Sequence, residues 1–268
     1  MPDGVSELLP ATERAWFRKF FGVWLRRQVP KHFHAVRLAR GSADVLDEIA
    51  RHAGPVILMS NHQSWWDPLV AFMVHERWFT GRPALSPMDV TQLRKFKFFR
   101  NLGMFGVDPD HAAGLRSFVR YVGERFAAAP RSVLMITPQG KFVDQRIPVA
   151  IRPGVAVLAA RHPEAAVVSV AIEYAFWTDQ RPEVFLRAVP IAPPSDASDA
   201  RAWHTACEQA MNGNAGELAR CVQSRDAAHF ETVSGGGSAR IHPLYDIVLR
   251  ATGRATSIET GHRAGGMK

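Results

Sequence analysis

With only two cysteines in 268 residues, Cys207 and Cys221, the chain cannot carry a disulfide framework, and the absence of a Cys-x-x-C pair removes the usual structural zinc site. A reducing, intracellular setting is the expectation. The first residues lack the basic start and apolar run of a secretory leader, and no stretch of about 18 uncharged apolar residues occurs, so no spanning helix is expected. Several catalytic signatures are missing as well. There is no Gly-x-Ser-x-Gly elbow, no Gly-x-Gly-x-x-Gly, no Walker loop and no His-Glu-x-x-His, which counts against serine hydrolase, dinucleotide, nucleotide and zinc-protease chemistry. Disorder is excluded by 47% hydrophobic residues, 16 Phe and 7 Trp.

One more absence is local. From Arg14 to Arg40 there is no acidic residue, but there are eight basic ones: Arg14, Arg18, Lys19, Arg26, Arg27, Lys31, Arg37 and Arg40. The net charge of +8 therefore sits entirely in this stretch, and the rest of the chain is formally neutral. The same stretch holds Trp16, Phe17, Phe20, Phe21 and Trp24, whose spacing builds one aromatic face on a helix bordered by Lys and Arg. Such a helix suits a membrane interface, with the aromatics buried among acyl chains and the cations on anionic headgroups. It equally suits an amphipathic helix packed on the domain core. Nucleic-acid binding is the weaker reading, because no recognised binding module accompanies the patch.

After Pro30, elements alternate. Strands are expected at Pro55 to Met59, Met104 to Val107, Ser132 to Thr137, Ala166 to Ile172 and Val184 to Val189. Helices are expected at Ala43 to Ala53, Trp65 to Trp78, His111 to Ala128, Val155 to Ala160 and Ala200 to Arg220. This alternation predicts a single α/β domain whose mostly parallel or mixed sheet is flanked by helices, preceded by the amphipathic helix. Ser234 to Ser238 reads as a flexible linker, Pro243 to Arg250 as a short helix, and the last residues as a polar tail.

The chemistry concentrates in Ser60 to Pro68, Ser-Asn-His-Gln-Ser-Trp-Trp-Asp-Pro, placed between a buried strand and a helix. Four residues separate His62 from Asp67, so a carboxylate in the first helical turn reaches back to an imidazole in the loop. It would fix the tautomer and leave the other ring nitrogen as a general base. Ser64 is placed to cap the helix. The spacing alone is weak, arising by chance about once in two chains of this composition.

In its context, Asn61-His62 with Asp67 resembles the first motif of the glycerolipid acyltransferases. Three further blocks follow in order. Gly103 to Asp108 resembles the second motif, Thr137-Pro-Gln-Gly-Lys141 stands where the family has Pro-Glu-Gly-Thr-Arg, and Val167 to Ile172 resembles the fourth. The resemblance covers residues 40 to 190 and implies transfer of an acyl group from acyl-CoA or acyl carrier protein to a lipid hydroxyl, with His62 as base, Asp67 orienting it, and no metal or further cofactor. Substrate-binding roles are expected for Asn61, Ser64, Trp65, Thr137, Gln139, Gly140, Lys141, Arg146 and Arg152, and the basic aromatic helix is expected to give the protein a peripheral place on the cytoplasmic face of the membrane. The corresponding division is a membrane-associating segment over 1–40, an acyltransferase-like domain over 41–230, and a linker, helix and tail over 231–268.

The sequence departs from the family where the acceptor's phosphate is bound. The second motif ends in Asp108-Pro109, the usual Glu is Gln139, and the expected Arg is Phe142. A phosphorylated acceptor and a neutral, glycosylated one both remain open, as does a non-catalytic lipid binder. Elsewhere, His32 and His34 are a weak metal pair or a solvated surface. Trp65 and Trp66 are channel or core aromatics, and Lys95 to Arg100 is a membrane or carrier-protein contact or simply an amphipathic turn.

Overall fold

The computed structural model describes residues 8–177 and 179–237. The chain runs α1 (Ala15–His32), β1 (Ala35–Ala39), α2 (Ser42–Arg51), β2 (Val56–Ser60), α3 (Asp67–Trp78), β3 (Ala84–Asp89), α4 (Val90–Lys95), a 3-10 helix (Lys97–Leu102), β4 (Met104–Val107), α5 (Ala112–Ala128), β5 (Val133–Ile136), α6 (Gly154–Arg161), β6 (Ala166–Ala175), β7 (Glu183–Ile191), α7 (Ala200–Gln223), a second 3-10 turn (Ala227–His229) and β8 (Phe230–Gly235). The eight strands form one mixed sheet in the order β4-β3-β5-β2-β6-β7-β1-β8. From β4 to β6 the pairs are parallel, whereas β6–β7 and β1–β8 are antiparallel.

Helices cover both faces. One core joins Phe21, Leu25 and Val29 of α1 with Leu46, Leu69 and Phe72 and with one side of the strands. The other joins Phe118, Val122, Leu158 and Met211 with the opposite side. This double cover explains the uninterrupted apolar run of β2, every residue of which is buried. At the centre, Leu58 lies beside Met135 on one side and Val168 on the other.

All five expected strands and all five expected helices are present, with small shifts at their ends. β1, β3 and β8 are additional. β1 joins the sheet between β7 and β8, pairing Leu38 with Leu186 and with Glu231, and thereby crosses both expected boundaries, at residue 41 and at residue 230. The expected linker begins inside β8, because Ser234 and Gly235 pair with Val36 and Ala35. The helix expected over 243–250 lies outside the described residues.

The aromatic face of α1 divides in two. Phe21 is only 7% exposed and meets Phe72 edge-on, and Phe17 packs partly against the same core, so neither forms a free apolar surface. Burying a Phe of this kind is worth about 1.5–3 kcal/mol. Trp16 and Phe20 stay 64% and 62% exposed, with Trp24 and Val23 beside them. The positive charge divides too. Arg18 bonds Glu76 and Glu13 at 2.8 and 3.0 Å, Arg37 bonds the buried Glu183, and exposed Arg40 lies 4.0 Å from Glu231, so acidic partners outside the basic stretch pair with three of its eight cations. His34 is buried beside Asp179, and no cluster of three metal-ligating side chains occurs among the described residues.

Candidate active site

The loop that follows β2 carries His62, and α3 begins at Asp67, so a strand end and a helix start face each other across the six residues 61–66. His62 Nδ1 lies 2.9 Å from Asp67 Oδ2. That same oxygen accepts the backbone N–H groups of Gln63 and Ser64 at 2.7 and 2.8 Å, and Tyr174 donates its hydroxyl to Oδ1 at 2.8 Å. Asp67 is wholly buried, and this set of donors compensates the cost of taking a carboxylate out of water. Burial first, and the Asp67 charge second, hold the Tyr174 phenol far above its ordinary pKa, so it remains a donor at any physiological pH.

The backbone of His62 is clamped on both sides. Its N–H donates to Gln139 Oε1 at 2.8 Å, and its carbonyl accepts Val143 N–H at 2.7 Å. An amide oxygen accepts this bond as a carboxylate would, so the Gln139 departure retains the link between the first and third motifs. Asn61 is a second clamp, giving its amide to Ile172 O and accepting Ile172 N–H at 2.9 and 2.8 Å. The imidazole meets Phe142 with ring centroids 4.3 Å apart.

Above the C-terminal ends of β2, β3, β4 and β5 lies a cavity of about 680 Å³, a size usual for small-molecule sites. Its apolar lining includes Phe21, Leu69, Phe72, Leu102 and Met104, its polar lining Asp108, Asp110, His111 and Arg152, and His62 also lines it. Gly103, at φ +94°, directly precedes β4, and Asp108 directly follows it; a Cβ at Gly103 would sit 2.2 Å from Ala84 O. Gly140, at φ +68°, leaves room for Arg152, whose Nε would be 2.5 Å from an added Cβ. Arg152 in turn bonds Pro109 O and Asp110 at the rim. A hydrogen bond between Asp108 and His111 lowers the carboxyl and raises the imidazole from their usual ranges, so each favours the charged form of the other.

The residues expected to bind substrate therefore separate. Trp65, Thr137, Gly140 and Arg152 line the cavity with His62. Asn61 and Gln139 are buried in backbone bonds, and the Ser64 hydroxyl accepts Trp66 N–H at 3.1 Å at the start of α3. Lys141 is exposed and outside the lining. Arg146 pairs with exposed Asp144 and borders a different, smaller cavity beside Asn61 and Glu173. Trp65 is exposed against Phe96 and Phe99, whereas Trp66 packs on Phe33 and His32. Sequence reasoning did not single out Tyr174, Asp110 or His111. Only the Asp-His pair carried a signal, as the segment directly after the second motif.

Two comparisons with known proteins bear on this site. A family model described as acyltransferase matches residues 20–173, more than half of the chain and both His62 and Asp67. No curated protein matches the chain.

Proposed function

Because this chain belongs to the acyltransferase family, we propose that it moves a fatty acyl group from acyl-CoA or acyl carrier protein to a hydroxyl of a lipid acceptor, a lysophospholipid, lysophosphatidate or glycosylated lipid. The observation that carries the reading is the His62–Asp67 pair on the wall of an apolar cavity. With the Nδ1 proton donated to Asp67, Nε2 holds the free lone pair. It takes the acceptor's hydroxyl proton as that oxygen attacks the thioester carbonyl. The C–O bond forms, the C–S bond breaks, and the proton passes from Nε2 to the leaving thiolate, so His62 returns to its first state without a covalent acyl-enzyme. Asp67 keeps the tautomer and stabilises the transient imidazolium.

In the same reading the chain is a peripheral protein of the cytoplasmic membrane face. Trp16, Phe20 and Trp24 enter the interface, and Lys19, Arg26, Arg27 and Lys31 meet anionic headgroups. No described helix is long and apolar enough to cross a membrane. Residues 1–40 then dock the protein while their described part also belongs to its core.

Purified protein is expected to release thiol from an acyl thioester when a lipid acceptor is present. His62→Ala should lower that rate on the order of 10²–10⁴-fold with the fold intact by circular dichroism. Turnover at the parent rate in the folded variant overturns the mechanism.

A further inference from the structure

The basic groups that line the cavity already have acidic partners. Arg152 and the two histidines, His62 and His111, are its basic lining groups, against the carboxylates of Asp89, Asp108 and Asp110. Arg152 bonds Asp110 and the Pro109 carbonyl, His111 bonds Asp108, and Asp89 caps α4 by accepting the N–H groups of Thr91 and Gln92. Three carboxylates of the lining stand against Arg152 and His111, and each of these two is already held by one of them. A phosphate monoester would enter this space dianionic, with no unpaired cation to meet it among the described lining residues, and would have to break the Arg152–Asp110 pair to find one. Beside His62 stands a different kind of surface. Phe142 is 58% exposed with its ring against the imidazole, and exposed Trp65 also lines the cavity. Aromatic faces at a cavity mouth lie flat on the C–H face of a sugar ring, while carboxylates at the rim accept its hydroxyls.

We infer that the acceptor offers His62 a hydroxyl of an uncharged sugar headgroup carried by a lipid, with Phe142 as the surface on which the sugar ring lies. This rests on the acyl-transfer reading for the reaction, though not for the choice of headgroup.

Calorimetric titration of the full chain with octyl glucoside and octyl phosphate, both below their micelle concentrations, measures that choice without turnover. The glucoside is expected to bind about tenfold tighter or more. Phe142→Ala should bring the two affinities close together, and Phe142→Arg, which sets a cation beside His62, should favour the phosphate. Equal or tighter binding of octyl phosphate by the parent chain overturns the inference, and an unchanged ratio in Phe142→Ala overturns the role of Phe142. A turnover arm compares thiol release from acyl-CoA with a glucosylated diacylglycerol and with lysophosphatidate in the same micelles. Faster acylation of lysophosphatidate sinks the headgroup inference and leaves acyl transfer standing. Selective glucoside binding with no thiol release from either acceptor sinks acyl transfer and leaves the headgroup inference standing.

Discussion

Tyr174 donates its hydroxyl to Asp67 at 2.8 Å from 107 residues further along the chain. Asp67 lies at the start of α3 and Tyr174 near the end of β6, so the carboxylate that faces His62 is held by the sheet as well as by its own loop. Asn61 and Gln63 also bond the backbone of Ile172 in β6, two residues earlier. The imidazole is thereby fixed relative to the cavity wall by contacts that no local segment supplies.

Tyr174→Phe keeps the ring against Phe33 and removes one donor from a buried carboxylate. The expected cost is about 1–3 kcal/mol of stability. As a positioning change it should also lower kcat several-fold with KM little altered, a split that a purely structural role would not produce. Urea unfolding and steady-state thiol release measure the two effects.

Asp67→Asn leaves a side chain of the same size, but one oxygen becomes an amide nitrogen and can no longer accept from all four groups that now converge there. Loss of the correct His62 tautomer should reduce kcat by about 10³–10⁴-fold. The rate should not recover at high acceptor concentration, because the loss lies in proton transfer rather than in binding.

Truncating exposed and buried aromatics of α1 should give opposite outcomes. Replacing Trp16, Phe20 and Trp24 together by Ser is expected to abolish sedimentation with anionic liposomes while thermal unfolding stays within a few degrees of the parent. Phe21→Ala should cost about 3–5 kcal/mol of stability, because it empties a site against Phe72. Liposome binding unchanged by the triple variant contradicts the docking role.

His75 provides a pH test of the anchor between α1 and α3. Its Nδ1 lies 2.6 Å from Arg18, and burial, with the Arg18 charge second, lowers its pKa from 6.5 to about 3. Between those values the unfolded chain takes up a proton that the folded chain refuses, so stability is full above pH 6.5 and falls as the pH drops toward 3. By pH 5 the loss from this group is about 2 kcal/mol. His75→Asn, which keeps an acceptor for Arg18 and cannot titrate, should show a flatter dependence of the urea midpoint between pH 7 and pH 5.

The central strands and the long helices were legible because their signals are local. Val56 to Met59 is an apolar run of strand length, and the spacing of Phe118, Val122 and Phe126 is helical. β1, β3 and β8 were not. β3 contains Pro87 and ends in Asp89, and β1 and β8 are short segments held by strands distant in sequence, β1 by β7 and β8, and β8 by β1, with Leu38 opposite Glu231. The same limit applied to α1, where the sequence shows five aromatics and cannot say that Phe21 turns inward while Phe20 turns out.

By itself the sequence determined the α/β class, the order of the motifs and the pairing of His62 with Asp67, since all of these depend on neighbours a few residues apart. Only the tertiary structure decided which charges remain free. The partners of Arg18, Arg37 and Arg152 come from other elements, at Glu76, Glu183 and Asp110. Coulomb interactions act through space at a few ångströms, so the net charge of +8 and the basic residues beside the motifs acquire meaning only once the fold has paired some of them and left others exposed.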